Sequence, residues 1–250
     1  TGTGTIDSGL FTGATAINVT SDAATNTSLT IQNAAAGQAL NFVGSKSTLA
    51  NQTFDPVTQS LKTNNTASDG LAITINNGGT ATTKTATIGA INVGNYEVVT
   101  LTAGEFGTGL TTAGITTGAL TLSATAASSI TINASTNLTI GGLDAVTASL
   151  AAVNVGGSTG ALNLGTIANT GAMTYTGSQG VDTLTTGIAA AATLQTFNLG
   201  TGDDVITVSA AGTGLYQLNG EAGNDLFKFT EAPTADTIGV DGGAGTADSV

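Results

Sequence analysis

Leu199-Gly200-Thr201-Gly202-Asp203-Asp204-Val205-Ile206-Thr207-Val208 decides how this chain is read: a glycine-rich turn carrying two acids runs straight into an apolar–Thr–apolar triplet. Alternation of that kind has a period of two and marks a strand with one buried face. Glycine ahead of the strand lets the backbone curl tightly. The unit recurs on both sides. Upstream it reads Gly177-Ser178-Gln179-Gly180-Val181-Asp182-Thr183-Leu184. Downstream it reads Gly220-Glu221-Ala222-Gly223-Asn224-Asp225-Leu226-Phe227, then Gly242-Gly243-Ala244-Gly245-Thr246-Ala247-Asp248-Ser249-Val250. The aspartates near the ends of these turns, Asp182, Asp204, Asp225 and Asp248, lie 22, 21 and 23 residues apart.

The same triplet runs through the rest of the chain. It is seen at Ile17-Asn18-Val19, Leu40-Asn41-Phe42, Ile73-Thr74-Ile75, Val99-Thr100-Leu101, Ile130-Thr131-Ile132, Met173-Thr174-Tyr175 and Phe197-Asn198-Leu199. From Thr121 to Lys228 the triplet centres make ten steps over 107 residues, one short strand about every 11 residues. A fixed period of short strands separated by turn residues predicts a parallel β-solenoid, with two strands per coil of about 21 residues. This is the coil length at which the four aspartates recur. The solenoid is expected over 111–250, with turns at 177–185, 199–207, 220–228 and 242–250. Residues 1–110 read as a β-rich region, for which tandem β-sandwich domains are the alternative. Within it, 44–70 lacks clean alternation and reads as a loop or insertion. Helix signals are weak: Leu143 to Ala151 could form a single turn at most. A chain that starts at Thr1 and stops inside a repeat unit reads as a segment of a longer protein.

Composition narrows the chemistry. Only 8% of residues are charged, and 4 Lys and no Arg stand against 16 acids, a net charge of −12. No basic patch can form to follow phosphates or an anionic bilayer, which argues against nucleic-acid and membrane-surface binding. No apolar run is long enough to cross a membrane. Cys and His are both absent, so disulfides, thiolate or imidazole metal sites and the usual base of Ser or Cys nucleophilic catalysis are excluded. Asp203-Asp204 is the only adjacent acid pair, and it sits in a turn motif, so no catalytic residues are assigned. The acidic excess points instead to cations, and a glycine-rich turn that converges carbonyls around an Asp suits a hard one. Ca²⁺ takes six to eight oxygens.

The four turns resemble the glycine- and aspartate-rich nonapeptide G-G-x-G-x-D-x-U-x of RTX proteins, where U is apolar. By that resemblance Asp182, Asp204, Asp225 and Asp248 are carboxylate ligands, with Asp203 beside them. Gly177, Gly180, Gly200, Gly202, Gly220, Gly223, Gly243 and Gly245 form the backbone cradle. The departures are clear: one motif per coil rather than one every nine residues, with Ser178, Leu199 and Glu221 in place of a consensus Gly, and Asp248 one residue late. The Thr-, Ala-, Gly- and Asn-rich composition, and the segment from Met173 to Val208 in particular, look like the C-terminal region of RTX-type bacterial surface-layer proteins. The resemblance implies type I secretion, an extracellular cell-surface location and a calcium-stapled solenoid. It further implies assembly with copies of itself, and contact with cell-surface polysaccharide through regions outside this chain. A segment of a large RTX adhesin, or the calcium-dependent secretion module of an enzyme, is the alternative. Further acids, Asp22, Asp69 and Asp144, match the motif poorly.

Overall fold

A computed structural model describes residues 3–20, 28–43, 51–63, 68–76, 85–104, 114–124, 126, 128–146, 150–187, 189–190, 192–209, 214–231 and 238–250. Its strands fall into successive coils. The first coils contain β1 (Gly4–Asp7) with β2 (Ala16–Thr20), then β3 (Leu29–Ala34) with β4 (Ala39–Val43). Three-stranded coils follow: β5 (Asn51–Phe54), β6 (Val57–Leu61) and β7 (Gly70–Asn76); β8 (Thr85–Ile88), β9 (Ile91–Gly94) and β10 (Val98–Ala103). The next are β11 (Gly114–Thr117), β12 (Leu120–Ser123) and β13 (Ser128–Ala134), then β14 (Asn137–Ile140), β15 (Gly142–Ala145) and β16 (Leu150–Asn154). Two-stranded coils complete the series: β17 (Leu162–Ala168) with β18 (Met173–Ser178), β19 (Asp182–Thr186) with β20 (Leu194–Gly200), β21 (Val205–Val208) with β22 (Leu215–Asn219), and β23 (Leu226–Phe229) with β24 (Ile238–Asp241).

Strands pair in parallel with those one coil away, as β10 does with β7 and β13, and β20 with β18 and β22. This is the parallel β-solenoid that the strand spacing predicts, and it runs through the N-terminal half as well. Two sheets result. Sheet B stacks β2-β4-β7-β10-β13-β16-β18-β20-β22-β24, and sheet A takes the remaining strands. Inward residues make one continuous core. Ile130, Ile132 and Ala134 of β13 are buried, and so are Tyr175, Phe197 and Leu218 of β18, β20 and β22. Each coil is too thin to bury this surface alone, so coils are stable only when stacked. Outward positions carry Thr and Asn in rows. Asn41 Nδ2 donates to Asn18 Oδ1 at 2.9 Å, and Asn219 Nδ2 to Asn198 Oδ1 at 2.6 Å.

The coil length differs from the expectation in the middle of the chain. Val57, Ile91, Leu120 and Leu143 are register partners in turn, 34, 29 and 23 residues apart, whereas Thr183, Val205 and Leu226 are 22 and 21 apart. The longer coils hold a third strand behind a small-residue corner. Asp55-Pro56, Gly89-Ala90, Gly118-Ala119 and Gly141 each break a sheet A segment into two strands. These corners stack so closely that a Cβ at Gly89 would lie 2.5 Å from Pro56 N, and one at Gly118 would lie 2.7 Å from Ala90 N. Part of the stretch 44–70 is therefore not loop. β5 and β6 lie within it and pair with β8 and β9, while 44–50 and 64–67 fall outside the described residues. Nor is Leu143 to Ala151 helical where it is described: its two ends belong to β15 and β16.

Candidate functional site

All four aspartate turns lie at one edge of the solenoid, where the chain passes from sheet B to sheet A. β18 delivers the chain to Asp182, β20 to Asp204, β22 to Asp225 and β24 to Asp248. The turns stack in register: Ser178 faces Gly200, and Thr201 bridges to Ala222. The aspartates form a ladder. Asp182 N–H donates to Asp204 Oδ1 at 2.7 Å, Asp204 N–H to Asp225 Oδ1 at 2.9 Å, and Asp225 N–H to Asp248 Oδ1 at 3.0 Å. Asp204, Asp225 and Asp248 thus each hold the coil before them by a charge-assisted bond.

The ladder has a defined first rung. Asp182 is aligned with Leu162, which is aligned with Leu138, so no carboxylate precedes it. Both oxygens of Asp182 are taken up within its own coil. Tyr175 OH donates to Oδ2 at 2.7 Å, Ser178 N–H to Oδ2 at 2.9 Å, and Ser178 Oγ–H to Oδ1 at 2.6 Å. Sequence reasoning missed Tyr175 and Ser178 as members of the site. The available signal was the inward position of Tyr175, because a buried phenol needs a partner. Replacing Tyr175 with Phe removes a donor to a buried carboxylate, at a cost of about 1.5–3 kcal/mol. The expected drop in melting temperature is equal in EDTA and in calcium, since this rung is satisfied by protein groups alone.

The next two rungs are different. Asp204 and Asp225 are buried, and each keeps its Oδ2 without a hydrogen-bond partner. An unpaired buried carboxylate oxygen is costly. Burial accordingly pushes the Asp204 carboxyl up to about 7 and raises Asp182 and Asp225 as well. It also holds the Tyr175 phenol well above its ordinary range, with the Asp182 charge adding to the effect.

The glycines explain themselves by close approach. A Cβ on Gly202 would lie 2.7 Å from Gly180 O, one on Gly223 would collide with Gly202 O, and one on Gly245 with Gly223 O. Gly177 and Gly200 are pressed in the same way against Leu199 O and Ser178 O, and Gly243 against Glu221 O. Gly200, Gly202, Gly223 and Gly243 have φ of 97, 135, 146 and 83°. Glu221 stands in this series at φ 67°, a conformation that favours glycine. Gly223→Ala is expected to cost about 1–3 kcal/mol in backbone strain alone. With the clash against Gly202 O, a fall of about 6–12 °C in melting temperature should follow.

The space in front of Gly220 tests whether a cation fits. A Cβ there would collide at once with Asp225 Oδ2 of its own turn and Gly242 O of the next coil. The two oxygens therefore converge on a point that only glycine leaves open. At Gly245, Gly223 O and Asp248 Oδ1 converge likewise. The donor set is all oxygen, mainly carbonyl, and bridges consecutive coils, which fits calcium rather than a softer metal. Asp225 and Asp248 with these carbonyls fit the ion; the Asp204 turn offers a free Oδ2 but has Leu199 where the next turn has Gly220, and both oxygens of Asp182 are engaged by Tyr175 and Ser178. Asp203 is exposed, and its Oδ1 accepts Asn224 N–H at 2.8 Å. Among the described residues no group of three or more acidic side chains gathers, so carbonyls would supply most of any coordination shell. Of the other acids, Asp69 is buried beside Glu97, whose Oε2 accepts Asp69 N–H at 3.2 Å; Asp144 lies in β15, and Asp22 is outside the described residues.

No protein-family model matches the chain, and neither a curated protein nor a solved structure matches it.

Proposed function

We propose that this chain is a structural element of the bacterial cell surface, a calcium-stapled subunit of a surface layer or related extracellular polymer, and not an enzyme. The observation that carries the reading is the pair of buried, unpartnered oxygens on Asp204 and Asp225, the second of which converges with Gly242 O of the next coil. Bound there, calcium would supply positive charge and oxygen coordination that cross-link one coil to the next. Asp204 and Asp225 would hold it with their free Oδ2, and Asp248 with the carboxylate at the last turn. Gly242 O lies with Asp225 Oδ2, and Gly223 O with Asp248 Oδ1.

The rest of the chain is consistent with a structural role. A secreted protein without Cys needs another staple, and a metal is one. Extracellular calcium sites bind at ~10⁻⁴–10⁻³ M, so such a ladder would stay open in a low-calcium cytosol and close outside the cell. That behaviour suits the type I route implied by the RTX-like turns. Regular coils with Thr- and Asn-rich faces that carry few charges suit packing into an array.

Negative-stain electron microscopy tests the functional reading. Protein transferred from EDTA into millimolar calcium is expected to form ordered sheets or filaments that disperse when the chelator returns. Particles that stay single and identical in both buffers would sink it.

A further inference from the structure

We propose that two copies of this chain meet through the outer face of sheet B. The inference rests on the reading of the chain as a subunit of an assembly, and it names the contact surface. The chain carries a net charge of −12, yet Asp241 is the one acidic or basic residue in the strands of sheet B. Sheet A, by contrast, has Asp7, Asp144 and Lys228 in its strands, besides the buried Asp182. Copies approaching through sheet B thus avoid setting acid against acid, which charge repulsion penalises elsewhere on this surface.

The chemistry of the face is self-complementary. Thr100 is aligned with Thr131, Thr131 with Asn154 and Asn154 with Thr176, so the row continues unbroken from coil to coil. A parallel row holds Thr174 and Thr196 side by side. Every hydroxyl and amide in these rows can both donate and accept. The rungs repeat at the ~4.8 Å strand spacing, and a second copy brings the same repeat to the contact. A charged partner would bury its charge against a face that offers no counter-ion between β2 and β22. A polysaccharide would find no aromatic ring to stack on, because Tyr175, Phe197 and Tyr216 of this sheet all point into the core.

The test is sedimentation velocity of the 250-residue chain in calcium, with circular dichroism as the check on folding. Thr131→Lys with Thr174→Lys is expected to weaken association at least ~10-fold by bringing like charges together. The matching pair on sheet A, Thr116→Lys with Thr139→Lys, should associate like the parent chain. Should the first variant lose its fold, Thr176→Cys decides. Because the chain has no other Cys, mild oxidation in calcium should cross-link it faster than Thr116→Cys. Undiminished association of the sheet B variant, or no preferential cross-linking at Thr176, overturns the face while leaving the assembly reading intact. A parent chain that stays monomeric, or that captures only polysaccharide through this face, overturns both.

Discussion

Asp204→Asn should reverse the order of stability between the calcium-free and calcium-bound chain. The substitution keeps an oxygen to accept Asp182 N–H, so the ladder bond survives, but it removes the buried charge. In EDTA at pH 8 the variant is therefore expected to melt several degrees above the parent, because the parent must hold a carboxylate whose Oδ2 has no partner. In calcium it should melt below the parent. Ten to a hundred times the dissociation constant of free calcium stabilises a site by about 1.5–3 kcal/mol, and the Asn variant gives up most of that. Asp225→Asn should behave in the same way, and the pair should lose nearly all of the calcium-dependent rise. The two sites share the Asp204–Asp225 bond, so their effects should not be additive. Variants that fall equally in both buffers would show the aspartates to be ladder bonds and nothing more.

The second large effect is in pH. The Asp204 carboxyl is raised from 3.8 to about 7 by burial, with Asp182 and Asp225 displaced in the same direction. A group whose folded value lies above its unfolded value binds protons more tightly in the folded chain. Its contribution to stability is fully present below about pH 4 and is lost as pH rises through 7. In EDTA the melting temperature should accordingly climb on acidification from pH 8 to pH 5, the reverse of the usual behaviour of a salt-bridged carboxylate. In calcium the slope should invert, because the ion requires the ionised form, and binding should release protons near neutral pH. Melting curves at pH 5 to 8 in the two buffers check both signs.

The strands were legible because inward residues had to alternate. Every Leu-Thr-Ile or Phe-Asn-Leu triplet quoted from the sequence lies in a strand, with its outer members buried or partly buried and its Thr or Asn outside. The corners inside sheet A were not read. Yet Ile88-Gly89-Ala90-Ile91, Thr117-Gly118-Ala119-Leu120, Ile140-Gly141-Gly142-Leu143 and Leu164-Gly165-Thr166-Ile167 repeat one pattern, a glycine and a small neighbour between buried residues. Glycine there answers a neighbouring coil 2.5–3.1 Å away rather than a turn, and such proximity leaves no mark on local periodicity. β5 and β6 were hidden for a related reason. Gln52 and Gln59 take buried inward positions that alternation assigns to apolar side chains, and Gln59 is held by bonds to Gln38 O and Tyr96 OH.

The aspartate column was legible from its spacing, since 22, 21 and 23 residues return the chain to one edge. Its internal inequality was not. Whether a carboxylate is satisfied by the protein or left open depends on Tyr175 and Ser178, which precede Asp182 by seven and four residues. In the turns of Asp204 and Asp225, Phe197 and Leu218 occupy the position of Tyr175. Two hydroxyls and a backbone N–H thus separate the self-contained rung of Asp182 from the two rungs that keep an open oxygen.

Titration of calcium into the EDTA-treated chain, followed by melting temperature and far-ultraviolet circular dichroism with magnesium as the control, tests the central claim most directly. A calcium-specific rise of several degrees, with a midpoint near ~10⁻⁴–10⁻³ M and a gain in β-signal, is the result expected for stapled turns. A melting temperature and spectrum that do not respond to calcium, or that respond equally to magnesium, would contradict it.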